Sequence, residues 1–152
     1  MGAAFALLFV LNVIACVVCL KHRCLLHCDC NAALILPTAA WFAVEASALP
    51  AYLGPLVTLT VAELGALVLL VRLVDYHDRW LPIVIGSLAL IAALGGLLDL
   101  FGLGMAGTVR RAIALTSWAL ASGLTIASGI ALLGYTRLRG QTAGIAPSDP
   151  LG

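Results

Sequence analysis

Residues 112–136 contain no Asp, Glu, Lys or Arg, and a helix of that length, apolar all round, has no face to offer to water. A helix rises about 1.5 Å per residue and the hydrocarbon layer of a bilayer is about 30 Å thick, so roughly 20 apolar residues cross it. Four other stretches approach the same condition. Residues 80–105 carry Asp99 alone, 52–71 carry Glu63 alone, and 1–20 carry no charge. Residues 31–49 are the least regular, holding Pro37 and Glu45 and leading into Pro50 and Pro55. A re-entrant hairpin is the alternative there. The pattern predicts an all-α, polytopic transmembrane helix bundle of five spans, or of four if 31–49 does not cross.

Composition excludes the competing classes. Of the 152 residues, 63% are hydrophobic and 10% charged, against about 45–50% and about 25% in soluble domains. The apolar excess must face lipid, so the bilayer is the first expected partner. Eight Lys and Arg against seven Asp and Glu leave a formal charge of +1, which makes no basic field for nucleic acid. No polar stretch is long enough for a separate soluble domain, so residues 1–139 form one bundle. Residues 140–152, rich in Gly, Pro, Ser and Asp, read as a short flexible tail. No internal repeat of matching register indicates a duplicated transporter half.

Short loops rich in Lys and Arg stay cytoplasmic. With five spans and the N-terminus outside, Lys21, Arg23, Arg72, Arg79, Arg137 and Arg139 fall inside and Arg110 and Arg111 outside. Four spans would divide the same residues evenly, so the rule favours five and a cytoplasmic C-terminus. The first span lacks a basic start and continues past any plausible cleavage point, so it is read as retained rather than as a secretory or lipoprotein signal.

Two rows of small residues mark the last span. Ala119, Gly123, Ala127 and Ala131 recur every four positions, beside a parallel row of Ser117, Ala121, Thr125 and Gly129. Such rows let membrane helices approach closely, within one bundle or against another membrane protein or a second copy. Gly95, Gly96, Gly102 and Gly104 are expected to soften the end of the fourth span.

An ionised group in lipid is costly, so Glu45, Glu63 and Asp99 are site candidates. In the N-outside arrangement Glu45 and Asp99 lie near the outer face with Arg110 and Arg111. Glu63 lies deeper. They could form an ion or proton path, or could be paired and hydrogen-bonded as structural groups.

Cys16, Cys19, Cys24, Cys28 and Cys30 fall within fifteen positions, with His22 and His27 between them. Cys24, Cys28 and Cys30 read as belonging to a short cytoplasmic loop beside Lys21 and Arg23, where S-palmitoylation is one expectation. The same three with His27 offer soft metal ligands, but without the paired C-x-x-C spacing of a zinc site. Cys16-Val17-Val18-Cys19 beside further loop cysteines resembles the membrane thiol oxidoreductases that pass electrons from dithiols to a quinone. The resemblance covers about fifteen residues and departs from that family in placing the pair ahead of the loop cysteines. It implies redox-active thiols. As a simple alternative, Cys16 and Cys19 are small packing residues.

The chain has no phosphate-cradling glycine loop, no H-E-x-x-H and no G-x-S-x-G. No cofactor is expected and an ordinary enzyme assignment has no motif to rest on. Asp75, Tyr76, His77, Asp78, Arg79 and Trp80 read as an inner, interface-anchoring loop. Two roles remain: a non-enzymatic membrane protein acting through helix association or membrane organisation, and a small oligomeric channel or transporter using the three acids.

Overall fold

The computed structural model describes residues 2–47, 53–77, 80–101, 103 and 107–143. Among them are five helices and no strand: α1 (Gly2–Lys21), α2 (Leu25–Ala46), α3 (Leu53–His77), α4 (Trp80–Leu100) and α5 (Gly107–Ala143). α1, α4, the Pro55–Asp75 part of α3 and the Gly107–Thr136 part of α5 are long and apolar enough to cross a membrane by length and composition. The protein is therefore a multi-pass membrane bundle.

α2 is less apolar, yet it lies along α1 from end to end. A Cβ on Gly2 would sit 3.3 Å from Glu45 Cβ. Phe5 stacks on Trp41 with ring centroids 5.0 Å apart, and Cys16 Sγ lies 3.2 Å from Cys28 Sγ. The two helices are thus antiparallel over their whole lengths, α2 covering about 33 Å against about 30 Å for α1. α2 also packs against α3 and α5, α4 against α3 and α5, and α5 closes the ring on α1.

The loop between α1 and α2 is tight. Arg23 adopts φ 57°, with its N–H donating to Leu20 O at 3.1 Å and the Cys24 N–H to Cys19 O at 2.9 Å. These two bonds satisfy the last carbonyls of α1 and turn the chain back at once.

Several expected boundaries move. The second helix starts at Leu25, not at 31, so His27, Cys28 and Cys30 belong to a helix rather than to the loop. Their polarity is absorbed on its inner face, where His27, Asn31, Leu34, Thr38 and Trp41 recur at helical spacing and are all buried. The re-entrant hairpin is overturned as well: α2 is continuous through the buried Pro37, next to which Thr38 Oγ1 donates to Leu34 O at 2.7 Å. α4 stops at Leu100, short of 105, closed by the Leu103 N–H on Leu98 O at 3.0 Å. Gly95 and Gly96 are buried within this regular helix rather than fraying it, and Gly102 and Gly104 lie outside the described residues. α5 runs on to Ala143, so the expected tail loses its first residues to a helix, and 144–152 lie outside the described residues. α3 likewise continues through His77. This takes Asp75, Tyr76 and His77 out of the anchoring loop, while Asp78 and Arg79 are not described and Trp80 opens α4, exposed.

The crossing of α2 is testable. In a background with the native cysteines replaced by serine, His22→Cys and Ser47→Cys should react with a membrane-impermeant maleimide from opposite sides of sealed vesicles. Labelling from one side only would show that α2 does not cross.

Candidate functional site

The densest polar group lies where α1 and α5 begin and α2 and α4 end. Arg110, in the first turns of α5, is 5% exposed and Glu63, in the middle of α3, is fully buried. Arg110 Nη2 lies 3.7 Å from Glu63 Oε2, and Arg110 Nε lies 3.2 Å from Asp99 Oδ2. One guanidinium therefore stands between two carboxylates from α3 and α4. Its planar fork suits that double role better than an ammonium would.

Neutral groups complete the surroundings. Trp41 Nε1 donates to Glu63 Oε1 at 2.9 Å, and the Arg110 guanidinium sits 5.5 Å from the centroid of the same indole, within cation–π range. Arg110 Nη2 also donates to Thr60 Oγ1 at 3.4 Å, and that hydroxyl donates to Leu56 O at 2.9 Å. Gly96 makes room for all of this. A Cβ there would lie 2.8 Å from Thr60 Oγ1, 2.9 Å from Glu63 Oε2 and 3.0 Å from Arg110 Nη2, so these polar ends would have to shift to admit one. At the rim, Arg111 Nε lies 3.0 Å from Glu45 Oε1, with the arginine side chain about half exposed.

Glu45, Glu63 and Asp99 thus come together at one end of the bundle with Arg110 and Arg111. Each acid faces an arginine, as a structural pairing requires. Chemically, the cluster can hold helices together in a medium where unpaired charge is very costly.

The opposite end holds the thiols. All five are free. Cys28 and Cys30 are buried on α2, Cys19 is buried on α1, and Cys16 and Cys24 are half-buried. Burial takes Cys28 and Cys30 out of reach of acylation, leaving Cys24, at the start of α2, the one of the three expected targets with an accessible thiol. His27 Nε2 bonds Ser128 Oγ of α5 at 3.0 Å, and no group of three His, Cys, Asp or Glu among the described residues could hold a metal ion. The expected ligands Cys24, His27, Cys28 and Cys30 are therefore not brought together as a metal-holding set among the described residues. The resemblance pairs Cys16 with Cys19, which stand one turn apart on α1. Cys16 meets Cys28, while Cys19 packs towards Gly129.

Asn12 and Asn31 went unassigned in the sequence. Asn12 is fully buried and its Nδ2 donates to Ser122 Oγ of α5 at 2.9 Å and to Leu8 O at 2.8 Å. Asn31 Nδ2 donates to His27 O at 2.6 Å. An amide inside an apolar span was a readable sign of a helix contact, although its partner was not. Between α1 and α5 lies a cavity of about 200 Å³, walled by Leu11, Ile14, Val18, Ile126, Ile130 and Leu133 with only Asn31 and Thr125 as polar neighbours. Such a lining suits acyl chains rather than an ion or a polar substrate.

The two rows of α5 part company. Ser117, Ala121, Thr125 and Gly129 are buried, whereas Ala119, Gly123, Ala127 and Ala131 are exposed, and a Cβ on Gly123 would meet nothing within 4 Å. α5 therefore packs within the bundle through the row of Ser117, Ala121, Thr125 and Gly129. Its other row is exposed among the described residues. Comparison of the chain with protein-family models, with curated proteins and with solved structures gives no match.

Arg110→Met should destabilise the bundle by about 3–5 kcal/mol, because two buried carboxylates lose their counter-charge. Adding Glu63→Gln should recover part of that loss. Gly96→Ala should cost about 1–3 kcal/mol by overpacking. Unfolding in mixed detergent micelles measures all three, and a neutral Arg110→Met would refute the structural role of the cluster.

Proposed function

We propose that this protein is a non-enzymatic, multi-pass membrane protein that acts by binding another transmembrane helix, of a partner or of a second copy, through the outer small-residue row of α5. The observation that carries this reading is the exposure of Ala119, Gly123, Ala127 and Ala131 along one line, with open space around Gly123. Without side chains in the way, a second backbone can come close enough for dispersion and weak Cα–H contacts to hold it where lipid removes the hydrophobic drive. Supporting it further, the polar groups that could have served transport are engaged inside the bundle: Glu63 and Asp99 with Arg110, Glu45 with Arg111, Asn12 with Ser122.

The same reading places the N-terminus outside and the C-terminus in the cytoplasm. Lys21, Arg23 and Arg72 are exposed at the end opposite the acids, where the positive-inside rule puts them. Arg110 and Arg111, at the other end, are both held by acids.

Gly123→Ile is the direct test, since it fills the exposed row at a position where an added Cβ meets nothing within 4 Å. Resonance energy transfer between labelled chains in bilayers, or recovery of the partner in mild detergent, should show association weakened by about tenfold, roughly 1.4 kcal/mol, at unchanged unfolding stability. Association indifferent to Gly123→Ile and Ala127→Ile would remove the proposal. In liposomes, wild type and Glu63→Gln should show the same negligible proton flux, and flux lost only in the variant would favour a conducting role.

A further inference from the structure

The sequence spacing singles out Cys16 and Cys19, but the fold sets a different pair face to face. Cys16 Sγ of α1 and Cys28 Sγ of α2 lie 3.2 Å apart, in hydrogen-bond contact, and Cys16 Sγ is also 3.7 Å from Cys28 O. Both thiols are free. A disulfide requires about 2.05 Å, so the sulfurs need to close by about 1 Å, within the range of small side-chain rotations. The two differ in access: Cys28 is 6% exposed, whereas Cys16 is half-buried, about 7.5 Å along the helix from Lys21. An entering reagent therefore meets Cys16 first, and Cys28 is already in place behind it.

We propose that Cys16 and Cys28 form a reversible dithiol–disulfide pair, oxidised by exchange with a small organic disulfide that reaches the membrane interface. The sulfur of Cys16 attacks one sulfur of the reagent, whose S–S bond breaks and releases one thiol. The sulfur of Cys28 then attacks Cys16 in the mixed disulfide and expels the second. Two thiol protons pass to the two departing sulfurs, and the two electrons given up by the pair reduce the reagent. The new bond clasps α1 to α2 at the end of the hairpin away from the Phe5–Trp41 stack, so both ends of the α1–α2 contact are then fastened.

Trypsin offers a clean assay, because Lys21 and Arg23 lie between the two cysteines and the next basic residue is Arg72. Full-length protein is treated with 4,4′-dithiodipyridine, its remaining thiols are blocked with N-ethylmaleimide, and the digest is analysed by mass before and after reduction. Fragments 1–21 and 24–72 should be linked until reduced. The link should vanish in Cys16→Ser and in Cys28→Ser, and persist in Cys19→Ser, Cys24→Ser and Cys30→Ser. Oxidised wild type should also unfold at a higher temperature than reduced wild type, a shift absent from Cys16→Ser. Cys16→Ala and Cys28→Ala, checked for unchanged helical content, separate loss of the thiol from loss of the fold. Wild type that stays unlinked while Cys24 reacts, or a link that survives removal of Cys16 or of Cys28, overturns the proposal.

Discussion

A guanidinium carried by α5 into an apolar bundle cannot remain without counter-charge, and the other helices are arranged to supply it. Arg110 takes Asp99 from α4 and Glu63 from α3. Glu63 in turn accepts from Trp41 of α2, and Trp41 stacks on Phe5 of α1. All five helices are thus joined through one chain of contacts at one end of the molecule. In a membrane the usual drive for burying apolar side chains between helices is absent, because lipid is as apolar as they are. Directional interactions carry the specificity instead. The positioning of Gly96 against Thr60, Glu63 and Arg110 shows how closely the packing of α4 follows that requirement.

A second set of polar contacts fastens the remaining seams. Asn12 with Ser122 joins α1 to α5, and His27 with Ser128 joins α2 to α5 one to two turns further along. The buried face of α5 is accordingly a ladder of small and polar residues. Its opposite row is just as small and is bare. Small residues on a lipid-facing surface bury little area by themselves and gain from contact only when another backbone comes close, which is why the two rows of one helix suit two different neighbours.

Much of the architecture was legible in the pattern of charge. Long runs with at most one charged residue located α1, α3, α4 and α5, because hydrocarbon penalises charge whatever the tertiary arrangement. The polar start of α2 reads as loop for the same reason. His27 and Asn31 lower the local hydropathy, but both are buried on the inner face of the bundle. Grouping Glu45 and Asp99 near Arg110 and Arg111 needed only topology. That Glu63, from the middle of α3, would share Arg110 with Asp99 needed the long arginine side chain to reach inward, and no spacing in the chain reports that.

The cysteines divide along the same line. Five thiols within fifteen positions could be counted from the chain, and counting favoured partners close in sequence, Cys16 with Cys19. The antiparallel register of α1 on α2, set by the tight turn at Arg23 and the stacking of Phe5 on Trp41, decided instead that Cys16 meets Cys28. Hydropathy is a property of each segment taken singly, so the residues alone determined that this protein is a helical membrane bundle and roughly where its helices lie. Which groups face one another depends on how helices rotate and slide against their neighbours, and only the assembled tertiary structure decided that.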